Sequence, residues 1–133
     1  MKHINQFITE YIIKKKLDTP IDSEYKYHPQ TKEELIENIK ELLYKKENDL
    51  NCIDTSAITD MSKLFLHISN TRYTNFDVSE WNVSNVTNMS HIFYDCKKLN
   101  CDLSNWDVSN VKDMTVMFYN CNSLKNKPIW YKK

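Results

Sequence analysis

The chain of 133 residues contains no glycine. Loops that cradle phosphate need glycine to bring backbone amides close to the ligand, so nucleotide binding of that kind is excluded. A charge excess is missing too: eighteen basic side chains offset eighteen acidic ones. Duplex binders usually carry a basic stripe, because neutralised phosphates drive their affinity. Here the basic run is Lys14-Lys15-Lys16, an ordinary helix C-terminus, so no nucleic-acid partner is expected. Long apolar runs are also lacking. The N-terminal stretch MKHINQFITEYIIKKK is interrupted by Asn5, Gln6, Thr9 and Glu10, which argues against a signal peptide. With no segment of membrane-spanning length, the expectation is a cytoplasmic chain with no membrane partner, and its four cysteines reduced. There is no CxxC pair, so a zinc site has little basis.

What the chain does contain is enough apolar material for a core, at 41% hydrophobic and 12% aromatic. Ile4, Phe7, Ile8, Tyr11 and Ile12 recur at helical spacing, with the lysine run and Pro20 as stop signals. A connector follows, closed by Pro29. TKEELIENIKELLYKKE then reads as a second helix, with Thr31 and Glu34 in capping-box spacing. Leu35, Ile36, Ile39, Leu42 and Leu43 form its apolar face, and Lys45-Lys46 fall in its last turn.

The most informative feature is a phrase written twice: WNVSNVTNMSHIFYDC from Trp81 and WDVSNVKDMTVMFYNC from Trp106. Aligned, Val83 pairs with Val108, Val86 with Val111, Met89 with Met114, Phe93 with Phe118, Cys96 with Cys121 and Leu99 with Leu124. A weaker copy, DTSAITDMSKLF, lies upstream and carries an insertion at His67–Asn75 expected to project. A fourth copy breaks off at KNKPIWYKK, where Pro128 and Trp130 leave the register and, with Tyr131, close that end. A fixed period of this size marks a solenoid, in which copies bury their apolar columns against each other. Each repeat is expected to hold a short extended stretch with Val78 and Val83 inward, then a short helix capped by Thr87 or Asn88. Asp95 and Asn120 fall where that helix must turn; after glycine, Asn and Asp best tolerate the left-handed conformation.

LSNWDVSNVKDMTVMFYNCNSLK and FDVSEWNVSNVTNMSHIFYDCKKLN strongly resemble the BspA-like leucine-rich-repeat family, whose units are common in bacterial surface proteins and mycoplasma lipoproteins. Leu103, Trp106, Val108, Val111, Met114, Phe118, Cys121 and Leu124 fall on its recurring positions. The resemblance covers about residues 50–125 and implies a right-handed leucine-rich-repeat solenoid that binds macromolecules. The expected fold class is thus an α+β repeat protein. It has a two-helix N-terminal cap over 1–49, about three repeats over 50–125 and a capping tail over 126–133.

For function, the columns read as structural. Cys96 and Cys121 are small buried hydrophobes rather than a disulfide or metal pair. The Asn and Asp columns hydrogen-bond backbone, since calcium would need more converging oxygens. His3, His28, His67 and His91 lie in unrelated contexts and no acid–base constellation converges, so no enzyme, metal or cofactor is expected. Recognition falls to positions that vary between repeats and to exposed aromatics: Arg72, Tyr73, His91, Tyr94 and Tyr119. The expected function is a protein–protein interaction module, such as a small phage- or mobile-element-encoded inhibitor or adaptor acting on a host protein. A surface or adhesin-type binding protein is the alternative.

Overall fold

The computed structural model describes residues 25–132. The first expected helix, around residues 4–16, lies outside the described residues. The second is present as α1, Lys32–Tyr44. Thr31 Oγ1 accepts from the Glu34 amide at 3.1 Å, while the Glu34 carboxylate accepts from the Gln30 amide at 2.7 Å. The box is therefore closed one residue further out than the usual reciprocal pair. Leu35, Ile39, Leu42 and Leu43 are buried, and Ile36 is half-buried. At the other end Lys45 is the cap and Lys46 takes φ 66°. The Lys46 amide donates to Leu43 O and the Glu47 amide to Leu42 O, the paired bonds of a Schellman motif. A lysine thus fills the left-handed position that glycine would normally hold.

The expected fold class is overturned. Among the described residues there is one α-helix, a 3-10 turn at Thr71–Tyr73 and no strand, so neither an α+β repeat, nor a two-helix cap, nor a leucine-rich-repeat solenoid is seen. The pairings between extended segments are isolated parallel bridges: Tyr27 with Ile53, Asp49 with Asp77, Asp60 with Asn88, and Asn88 with Asp113. The expected short helices and strands fail for a local reason. Lys63, His91 and Val116 sit at repeat-equivalent positions with φ of 57°, 58° and 44°. A left-handed residue there ends any helix begun by Asp60, Asn88 or Asp113. Asp95 and Asn120, at φ 65° and 63°, turn the chain again.

Asx turns make the remaining corners. Asp49, Asp77 and Asp102 each accept the amide two residues on; so do Asp54, Asn82 and Asp107, and so do Asp60, Asn88 and Asp113. At Asp54, Asp60 and Asp77 burial pushes the carboxyl up, but hydrogen bonds from Ser56, Ser62 and Ser79, with help from His28, Lys32 and Asn51 respectively, outweigh it and leave each group below its ordinary value. The amide and hydroxyl of Ser104, and the hydroxyls and amides of Ser109 and Thr115, lower Asp102, Asp107 and Asp113. Asn85 and Asn110 reach between repeats, donating to Ser56 O and Ser84 O at 2.7 Å each. The polar columns therefore bond backbone, as the sequence suggested.

Inside this frame, repeat-equivalent side chains touch. Phe65, Phe93 and Phe118 follow one another at centroid distances of 5.7 and 5.8 Å, with rings within 13° of parallel. Trp81, Trp106 and Trp130 donate their indole N–H to Leu50 O, Val78 O and Leu103 O at 2.8, 3.0 and 2.8 Å. Trp130 was expected to leave the register, yet it occupies the next place in this column, 6.3 Å from Trp106 and 5° from parallel. Ile68 stands where Cys96 and Cys121 stand in later copies, and all three are buried. Both thiols are free: Cys121 donates to Phe93 O at 3.0 Å, and burial pushes it up to about 11 and Cys96 further.

Candidate functional site

The insertion does not project. Thr71 is buried, its hydroxyl within 2.9 Å of both Phe65 O and Ile68 O, so the polar group is satisfied within its own loop. Arg72 O accepts from the Lys97 amide at 3.2 Å, and Asn75 Oδ1 accepts from the Asn100 amide at 2.9 Å. Both bonds tie the segment to the next repeat. Asn70 supplies the reversal at φ 76°. Fixing the loop this way fixes the directions of Arg72 and Tyr73, which remain exposed.

All five sequence-chosen residues fall into one connected patch. Arg72 is ion-paired with Asp95 and lines one cleft with Tyr73. The Asp95 side chain is 13% exposed against 52% for Arg72, so the acid is the anchored partner. Asn120 Nδ2 donates to the second Asp95 oxygen at 2.6 Å, and the Asp95 amide donates to Tyr119 O at 2.7 Å. Tyr94 lies beside Asp95 and stacks on Tyr119 at 4.8 Å and 21°. His91 also stacks on Tyr94, at 5.5 Å and 30°. The His91 Nδ1 is buried without a hydrogen-bond partner. Tyr73 and Tyr119 are 67% and 55% exposed.

A cleft of about 300 Å³ opens beside the patch, lined by Phe65, Asn70, Arg72, Tyr73, Tyr94 and Asp95 among others. Its walls are largely polar and it is open to solvent, so it suits a side chain of a partner better than an enclosed small molecule. Asp95 is the residue that sequence reasoning missed here. Its turn geometry was legible from the pairing with Asn120, but its ion pair depends on the insertion delivering Arg72 to the same spot. Among the described residues no three His, Cys, Asp or Glu side chains cluster as a metal would need. No helix among them is long and apolar enough to cross a membrane.

No curated protein and no solved structure matches this chain. A family model does: DUF285, described as a mycoplasma protein of unknown function, matches residues 33–132. That span runs from the first turn of α1 to Lys132 and takes in every column described above. The chain belongs to the DUF285 family.

Proposed function

We propose that this chain is a non-enzymatic binding module that recognises a protein partner through the patch of Arg72, Tyr73, His91, Tyr94 and Tyr119. The observation that carries the reading is exposed Tyr119 pre-stacked on half-buried Tyr94, with an arginine anchored beside the pair. Tyrosine and arginine dominate interface energetics, and rings already ordered lose little entropy on binding. The resemblance to BspA-like repeats, which implies macromolecular binding, supports the same class. Four free cysteines fit a reducing compartment, which is where we place the encounter.

The test is affinity capture from native lysate at low and near-physiological salt, comparing the wild-type chain with R72A/Y73S/Y94S/Y119S. One stoichiometric protein, retained at the higher salt and lost with the variant, is the expected result. Its affinity should fall by at least about a hundredfold if two hot-spot contacts are removed. A partner bound equally by the variant would refute this face.

A further inference from the structure

The repeats are joined through a row of amides that all point toward the following copy. Met89, His91, Phe93 and Asp95 donate to Asp113 O, Thr115 O, Met117 O and Tyr119 O at 2.7–3.1 Å. The equivalent donors of the last repeat are Met114, Val116, Phe118 and Asn120. Among the described residues none of these four amides has a hydrogen-bond partner. The tail covers the tryptophan corner through Trp130 and sets Tyr131 edge-on to Phe118 at 5.0 Å. It leaves a mostly apolar cleft of about 160 Å³ bounded by Val116, Phe118, Tyr119, Lys127 and Tyr131. Among the described residues, one corner of this end is closed and the 113–120 edge is open.

We infer that this edge binds an extended peptide segment of a partner by backbone pairing. The segment would present carbonyls at four alternate positions to the Met114, Val116, Phe118 and Asn120 amides. It would also carry an aromatic residue to continue the Tyr94–Tyr119 stack, since Tyr119 is exposed while Phe118 is already covered by Trp130 and Tyr131. The occupant follows from continuity: the edge is the lower half of an interface that is complete one repeat above, and residues 113–120 are themselves the acceptor strip there. An open row of donors is a ready template for such pairing. A second copy of the chain fits less well. Its matching strip, 60–67, lies beside α1, where Lys32 Nζ bonds Ser62 Oγ at 3.1 Å and pairs with Asp60 at 3.7 Å. This reading goes beyond the patch, because the four amides are backbone groups that the patch substitutions leave in place.

The probe is an acetylated, amidated peptide repeating DMTVMFYN (residues 113–120), with one lysine added at each end for solubility. It is titrated into ¹⁵N-labelled protein while amide exchange is followed by NMR. At ten times Kd, exchange at Met114, Val116, Phe118 and Asn120 should slow about elevenfold, because only the free fraction exchanges. A scrambled peptide should leave those rates alone. Unchanged exchange at the four amides up to the solubility limit overturns the inference. So does a peptide that perturbs Arg72 and Tyr94 without protecting the edge, which would leave the patch reading standing. Protection that rises with protein concentration and without peptide would assign the edge to a second copy, and overturn the peptide occupant.

Discussion

Replacing the indole N–H of Trp81 by a sulfur, as in 3-benzothienylalanine, preserves ring shape and removes one donor. Trp81 is 4% exposed and its bond to Leu50 O is buried at 2.8 Å. Leu50 is itself fully buried, so its carbonyl has little access to water once the indole stops donating. A buried acceptor left unsatisfied costs about 1–3 kcal/mol. Taking about 2 kcal/mol and a urea slope of about 1.5 kcal/mol/M, the unfolding midpoint should fall by roughly 1.3 M. Fluorescence of the two remaining tryptophans reports the transition.

The column supplies internal controls. Trp106 is equally buried and bonds Val78 O at 3.0 Å, so its isostere should cost about as much. Trp130 is only half-buried, and its bond to Leu103 O is partly open to solvent, so its isostere should cost least, under about 1 kcal/mol. If the three isosteres leave the midpoint unchanged, the column is held by ring packing alone and the hydrogen-bond argument is wrong. If Trp130 proves the costliest, the burial argument is wrong instead.

Lys46→Gly should stabilise by about 0.5–1 kcal/mol, the relief of a left-handed Cβ less the added freedom of glycine in the unfolded chain; urea midpoints decide it. Lys46 is exposed, so no lost packing confuses the comparison. Acid should destabilise the fold late. The Asx-turn carboxyls Asp54, Asp60, Asp77, Asp102, Asp107 and Asp113 lie below their ordinary value when folded. Their stabilisation is therefore complete above the unfolded value of about 3.9 and is lost as pH falls through the lower folded values. Thermal scans should be flat in this contribution down to about pH 5 and then fall; a decline beginning near neutrality would contradict the assignment. Thiol labelling at mildly alkaline pH should leave Cys96 and Cys121 unmodified in the folded protein, since burial holds both well above the ordinary thiol value. Mass spectrometry after a pulse of alkylating reagent reads this directly, and rapid native labelling of either would refute it.

The columns were legible because they obey one rule: residues that touch the next copy are kept, and those facing water change. Phe93 and Phe118 could be paired from spacing alone, and so could the polar ladder of Asn85 and Asn110. The path between the columns was not legible. MSHIF has the apolar spacing of a short helix, and nothing in its side chains announces that His91 adopts φ 58°. The same position holds lysine in one repeat and valine in another, so no residue type marks the turn. Tertiary demand sets it: the amides of Met89, His91 and Phe93 must all face the neighbouring repeat, and a helix would turn them along its own axis. The insertion was misjudged for a related reason. Its extra length relative to the other copies suggested projection, whereas Thr71 turns its hydroxyl onto its own loop and is buried.

The absence of glycine sharpens the connection between fold and patch. Among the described residues, seven left-handed positions are filled by Lys46, Lys63, Asn70, His91, Asp95, Val116 and Asn120. Each holds a conformation that a Cβ disfavours, by about 1–2 kcal/mol for residues other than Asn and Asp. Glycine would relieve that strain but would carry no side chain. Three of the seven use theirs at the patch: His91 stacks on Tyr94, Asp95 anchors Arg72, and Asn120 holds Asp95. His91→Gly and Asn120→Gly should therefore separate the two demands, leaving stability unchanged or raised while loosening Tyr94 and Arg72. Side-chain order at those two residues, read by NMR relaxation, is the discriminating observable. If both glycine variants keep Tyr94 and Arg72 as ordered as in the wild type, the turns serve the backbone alone, and the patch owes its rigidity to the Tyr94–Tyr119 stack.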